Sequence, residues 1–360
     1  MSTPNGTDTT MSSQVDLETA ALLTASVERI LEDLCTPSLL REAEGAGGAS
    51  ATAAVWRALE DAGLTDALRA DGDPSEGLGW GEVRAMIEAC GHWGLPAPLP
   101  ESLAAQALAR LAGAQLPQGP CLLAVARVVD GRVIAETVAL PQSAKVAVCS
   151  LPMQGTQCEE LWLFETARAD RAPVTSVAVE NARMTWSMAD GLSLGRLPDG
   201  ASALSAGAAV RSAQIAGACR RVLEMATQYA NDRVQFGRPI GKFQAIQQQL
   251  SLASEWAVMA GMASQLALAG PGLVLDPVRV ASAKQVAGDA AQICTEVAHA
   301  VHAAIGVTRE YDLQLFSRRL WTWASEFGSS LYWARTLGNE LVAHAPKYSW
   351  DTVVRASTFE

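Results

Sequence analysis

From about residue 205 to residue 344, apolar residues recur at helical spacing in long runs, which limits the fold more than any other feature. Phe243, Ile246, Leu250, Ala253, Ala257 and Ala260 form one stripe, and Val286, Ala290, Ile293, Val297 and Val301 a second. Leu313, Phe316, Leu320, Trp323, Phe327 and Leu331 form a third. With the helical stretch Ser205–Asn231 before them, these runs predict an antiparallel four-helix bundle. The first third of the chain is helical as well, over Leu17–Leu34, Ala51–Ala62, Trp80–Cys90 and Ser102–Leu111, with Gly- and Pro-rich breakers between. Between the two helical regions the texture changes. Short β-type runs follow at Cys121–Val128, Val133–Leu140, Lys145–Ser150, Glu160–Glu165 and Val174–Val179, and Asp130-Gly131 marks a hairpin. The predicted class is α+β, mostly α. It has a helical domain over 16–116, a small middle β-domain over 117–199 and the bundle over 200–345. A polar leader at 1–15 reads as disordered, and 346–360 form a tail.

A net charge of −11 argues against nucleic acid, which needs a clustered basic surface. Seven scattered cysteines show no metal or redox spacing and fit reduced thiols in the cytoplasm. The leader has neither a basic start nor an apolar centre, and no apolar run reaches bilayer length, so neither secretion nor a membrane span is expected.

Between the first two long helices stands Arg233-Val234-Gln235-Phe236-Gly237-Arg238-Pro239-Ile240-Gly241-Lys242-Phe243-Gln244. A guanidinium fork, an amide and a flat ring beside a helix start suit the phosphates and rings of a dinucleotide. By composition alone the stretch also reads as a bundle loop whose Phe236 and Phe243 plug the core. It resembles the signature of the acyl-CoA dehydrogenase family, in which the Arg, Gln and Phe bind the FAD of a neighbouring subunit. A second segment, His302-Ala303-Ala304-Ile305-Gly306-Val307-Thr308-Arg309-Glu310, is similar to that family's Gln-x-His-Gly-Gly stretch. The order of helices, β-domain and bundle matches too.

The resemblance implies FAD as cofactor, an acyl-CoA substrate oxidised to its 2,3-enoyl form, and electron-transfer flavoprotein as acceptor. Arg233, Gln235, Phe236, Gly237, His302 and Gly306 are the implied cofactor-binding residues. The chemistry needs a carboxylate to take the α-proton while the β-hydrogen leaves as hydride. The family places that base in one of two positions, and here they hold Phe327 and Gly207. Glu326 is a weak neighbouring candidate, set against a solvated helix-face glutamate. The glycines after His302 are replaced by Ala303 and Ala304, and the β-domain lacks the family's flavin-facing loop. The pattern implies the base-less subunit of a heteromeric, α2β2 enzyme with a homologous partner, as occurs among bacterial enzymes for steroid side chains. The alternatives are a self-sufficient homo-oligomer using Glu326 and a non-enzymatic acyl-CoA-binding relative.

Other motifs carry less. Gly191-Leu192-Ser193-Leu194-Gly195 matches a nucleophile elbow, but a turn rather than a helix follows it. Glu296, His299 and His302 share a helix spacing without further metal ligands, so no metal is expected.

Overall fold

The computed structural model describes residues 8–45, 48–69, 77–139, 143–153, 155, 158–174, 181–270, 272–343, 351 and 354. Five helices come first: α1 (Asp8–Leu34), α2 (Pro37–Ala43), α3 (Gly48–Asp61), α4 (Trp80–His92) and α5 (Leu99–Leu111). The first helix begins at Asp8, so residues 8–15 are helical rather than the disordered leader expected there. Thr36 opens α2 by accepting the Leu39 amide, with Pro37 at the first helical position. Helix α5 is buried from Leu99 to Arg110, and each of its polar side chains makes at least one hydrogen bond, although Glu101 Oε2 and Gln106 Oε1 find no partner among the described residues. Ser102 Oγ accepts the Cys121 amide at 2.9 Å, and Gln106 donates to the Thr65 carbonyl at 2.8 Å. Arg110 donates to the Leu78 carbonyl at 2.8 Å.

Two four-stranded sheets follow. Strand β1 (Cys121–Val125) runs parallel to β4 (Val146–Pro152), which pairs antiparallel with β5 (Glu159–Glu165). The second sheet contains β2 (Arg127–Val129), β3 (Arg132–Ala139) and β6 (Asp170–Val174) around β7 (Asn181–Ser187), in the order β2-β3-β7-β6. Strand β8 (Leu192–Arg196) closes the first sheet beside β5. Period-two alternation makes that first sheet a middle layer. Cys121, Leu123, Val148 and Leu161 face the helices, while Leu122, Ala124, Ala147 and Phe164 pack on the second sheet.

The expected hairpin is present, with Asp130 and Gly131 at φ 49° and 74° between β2 and β3. The single run expected over Cys121–Val128 divides at Ala126, where the chain passes from one sheet to the other. The strand expected at Val174–Val179 lies outside the described residues except for Val174, the end of β6. Ser193 sits on edge strand β8 and donates to Glu160, so no elbow forms there.

The C-terminal region begins with α6 (Ala203–Asp232), followed by the short hairpin of β9 (Val234–Gln235) and β10 (Arg238–Pro239). Helices α7 (Gln244–Ala267) and α8 (Pro277–His302) come next, then α9 (Leu313–Ser325) and α10 (Ser330–Ala343). The fourth bundle helix is therefore two helices. Leu313, Phe316, Leu320 and Trp323 are buried along α9 as the stripe predicts, but Leu331 stands beyond a break and is exposed. Lys284 of α8 makes that break. Its ammonium donates to the carbonyls of Trp323, Ala324 and Gly328 at 3.1, 2.9 and 2.9 Å, capping a helix end that would otherwise leave them unpaired. Helices α4 and α6 cross at glycines. A Cβ on Gly217 would meet the Glu88 carbonyl oxygen at 1.9 Å, and one on Gly91 the Gln214 oxygen at 1.9 Å. Among the described residues no helix is long and apolar enough to cross a membrane.

Candidate functional site

Helix α6 ends at Asp232, and the chain turns at once into the β9–β10 hairpin. Gln235 pairs with Arg238, leaving Phe236 and Gly237 as a two-residue turn with φ of 52° and 80°. Such a turn demands positive φ at both positions, which glycine tolerates and an aromatic residue resists. Phe236 nonetheless holds it with its ring 90% exposed. Arg233, Val234, Gln235 and Gly237 are exposed beside it. Arg238 stacks over Phe243 at 4.3 Å, and Phe236 meets the same ring edge-on at 6.1 Å, so the base of the loop is braced while its tip points outward. The bundle-plug alternative fails for Phe236, whose ring the core does not cover, whereas Phe243 packs partly against the core.

His302 lies inside the same end of the bundle, against Tyr229, one turn before Arg233. It ends α8 with 1% exposure, its Nδ1 at 2.7 Å from the Ala298 carbonyl and its Nε2 at 3.2 Å from the Tyr311 hydroxyl. Tyr229 stacks on the ring at 4.5 Å. Burial holds its pKa below the ordinary histidine value, with the Ala298 hydrogen bond opposing and His299 adding to the shift. Gly306 is buried against it. Ala303 takes φ 52° and ψ −137°, a conformation that suits glycine better. These residues form an internal brace for the loop after α8. Among the described residues no group of three or more potential metal-ligating side chains is clustered, and the Glu296–His299–His302 row does not converge.

Phe327 and Gly207, the two positions at which a base was expected, meet. The Phe327 ring fills the space above Gly207 so closely that a Cβ there would stand 2.2 Å from its Cδ1. Phe327 does not continue the α9 stripe; it follows the helix end at φ 51°. Glu326, expected on a solvated helix face if not displaced into the site, has a side chain only 8% exposed. It accepts from Arg211 Nε at 2.6 Å. Arg211, four residues beyond Gly207 on α6, also bonds Glu101 of α5 and Gln214, and lies 5.8 Å from the centroids of Trp323 and Phe327. Burial alone would lower its pKa, but Glu101 and Glu326 outweigh that and raise it. Lys284 is pushed down to about 7 by burial, with Glu326 opposing and Arg211 adding. Arg211, Glu101, Glu326 and Phe327 line a cavity of about 360 Å³ together with Leu123 and Glu136. It lies where α5, the middle sheet and the bundle converge, a usual place for a small-molecule site.

Arg211, Glu101 and Lys284 were not singled out from sequence. The available signal was a single charge inside an apolar helical face, as in Ala208-Ala209-Val210-Arg211, which points to a buried partner.

A sequence profile described as "Acyl-CoA dehydrogenase, C-terminal domain" matches residues 200–330, which include the outward hairpin and the Gly207–Phe327 contact. The acyl-CoA dehydrogenase FadE27 of Mycobacterium tuberculosis is 29% identical over 264 residues, covering 65% of this chain and 70% of FadE27. Residues 200–330 match the C-terminal domain of the acyl-CoA dehydrogenase family. The acyl-CoA dehydrogenase IpdE2 of Mycolicibacterium smegmatis is 33% identical over 112 residues, or 31% of this chain, and the match spans only 35% of IpdE2. Among solved structures, a variant of the steroid ACAD Tcur3481-Tcur3483 superposes with a TM-score of 0.77 at 20% identity, covering 92% of this chain and 99% of that one. The ChsE4-ChsE5 complex of Mycobacterium tuberculosis gives 0.75 at 22%, covering 90% and 97%. These likenesses establish the acyl-CoA dehydrogenase fold.

Proposed function

We propose that this chain is the base-less subunit of a flavin-dependent acyl-CoA dehydrogenase assembled from two different but homologous subunits. The observation that carries the reading is the packing of Phe327 on Gly207: the ring fills the space above the glycine, and neither of the two expected base positions holds a carboxylate. The hairpin supports it from the other side. An outward Phe236 in a strained turn, with Arg233 and Gln235 exposed beside it, is built for a ligand the chain's own core does not hold. The residues present therefore fit FAD as a lent contact. Arg233 would pair with phosphate oxygens, Gln235 would offer its amide, and Phe236 would cover a ring. When bound, FAD supplies the acceptor for the hydride leaving the acyl chain. The partner subunit would contribute the carboxylate that takes the α-proton, and electron-transfer flavoprotein is the acceptor we assign downstream. Two named structural neighbours are a steroid ACAD and a two-component complex, which favours a heterotetramer acting on a bulky acyl-CoA.

One observation favours a second reading, in which the chain is self-sufficient. Glu326 is buried, oriented by Arg211 and lines the cavity. Flavin content and acyl-CoA oxidation, measured on the chain alone and co-expressed with its genomic neighbour, separate the two. The first reading expects a flavin-poor, inactive lone chain and restored flavin and turnover on co-expression. A lone chain that holds flavin and turns over, and that Glu326→Gln silences, establishes the second.

A further inference from the structure

The cavity between α5, the middle sheet and the end of α9 carries an excess of hydrogen-bond acceptors. Three carboxylates, Glu101, Glu136 and Glu326, line it against one guanidinium, Arg211. Glu136 is satisfied from outside, since it accepts from Arg127 and Arg183, neither of which lines the cavity. Arg211 divides itself between the other two, donating from Nε to Glu326 and from one terminal nitrogen to Glu101. Its second terminal nitrogen goes to Gln214. Each of the two carboxylates thereby has one oxygen bonded. The other oxygens, Glu101 Oε2 and Glu326 Oε1, are buried and have no hydrogen-bond partner among the described residues. The side chains that carry them are only 9% and 8% exposed. Lys284 does not supply the missing donors, because it is not part of the lining and its ammonium serves the carbonyls of Trp323, Ala324 and Gly328.

A buried carboxylate oxygen without a donor is costly, and the cost is removed when a ligand brings the donor. The cavity, at about 360 Å³, lies at the small end of ligand sites, and Leu123, Leu204 and Phe327 give it apolar walls. The occupant such a space fits has a compact apolar body and a head group that donates hydrogen bonds. A carboxylate head is disfavoured, since it would add a like charge beside two carboxylates that already share one cation away from water. We propose that this cavity binds an apolar molecule bearing a hydroxyl or ammonium group, with Glu101 and Glu326 accepting from that group. Arg211 is the positioning residue that holds both carboxylates at the wall. Arg233, Gln235 and Phe236 are not among the lining residues, and binding of such a molecule requires neither flavin nor turnover, so its failure leaves both readings of the reaction untouched.

The test is calorimetric titration of the full-length chain, at matched ionic strength, with three compounds built on one ring: cyclohexylmethylamine, cyclohexylmethanol and cyclohexanecarboxylate. Saturable binding of the amine and the alcohol is expected, with the carboxylate weaker by about tenfold or more. An amine tighter than the alcohol assigns the head group to a cation, and equal affinities assign it to a neutral donor; both support the site. Glu101→Gln and Glu326→Gln are each expected to weaken the amine about tenfold, the effect of one charge-assisted bond, and melting curves check that these variants fold. Val125 lines the cavity from an edge strand and is 42% exposed, so Val125→Trp obstructs the space while leaving the carboxylates in place, and it is expected to abolish binding. Absence of saturable binding by both the amine and the alcohol overturns the proposal. So does a carboxylate that binds as tightly as the amine, or undiminished amine binding in folded Val125→Trp.

Discussion

Gly207 and Phe327 make contact from opposite ends of the bundle sequence, and a one-atom change tests whether that contact is as tight as it looks. Helix propensity alone would favour Gly207→Ala by about 1 kcal/mol. Because the added Cβ would stand 2.2 Å from the Phe327 ring, we expect instead a loss of about 1–3 kcal/mol in urea unfolding. Adding Phe327→Ala should remove the steric part of that loss, and a double mutant no better than the single would show that the ring is not the obstacle. Lys284 offers a second test through pH. Its pKa is lowered from 10.5 to about 7 in the folded chain, so between those values the unfolded state binds more protons. Stability should therefore rise with pH from about 7 to 10.5 and be insensitive to this group below 7. Lys284→Met should lose that rise, visible as a flatter pH profile relative to wild type, whatever the offset caused by leaving its carbonyl partners unpaired.

At the level of elements, the hairpin sets local stability against function. Phe236 occupies a left-handed position with its ring in solvent, so Phe236→Gly should stabilise the isolated chain by about 1 kcal/mol. The same change should lower flavin retention in the co-expressed assembly, measured by absorbance after gel filtration. Stabilisation without loss of flavin would remove the hairpin from the cofactor site. The long helices and the Asp130-Gly131 turn were legible in the sequence because each is specified locally, by apolar period or by turn chemistry, whereas the β9–β10 hairpin read only as a loop leading into a helix. The break after α9 was not. Phe327 keeps the apolar spacing of that helix, and what ends it is Lys284, which comes from α8. The sequence also hid β6 and β8, edge strands whose largely exposed residues give little alternation to read. It hid the true setting of Glu326 as well, since its partner Arg211 is brought there only by the fold.

On the scale of the whole molecule, Arg211 is the point where the helical N-terminal region, α6 and the end of α9 are tied together. It is 1% exposed and serves two carboxylates that are themselves 9% and 8% exposed. Arg211→Met leaves both carboxylates without their cation, and breaking a buried pair of this kind costs about 3–5 kcal/mol. We expect a lower melting temperature and loss of soluble expression, partly recovered when Glu101→Gln and Glu326→Gln are added. A small effect of Arg211→Met alone would mean that solvent reaches the cluster.

The glycine crossing of α4 and α6 bears on how this chain can be cut and borrowed. The stretch 200–330 looks self-contained when measured along the sequence. Yet the backbone of α6 rests directly on that of α4, with no side chain between them at Gly91 and Gly217. A piece expressed from residue 200 onward would carry a flat, closely fitted face with nothing to lie against, and a graft of this bundle onto another N-terminal half would need both glycines to come with it. The inheritable unit is the crossing, which belongs equally to segments that a linear division would assign to different parts.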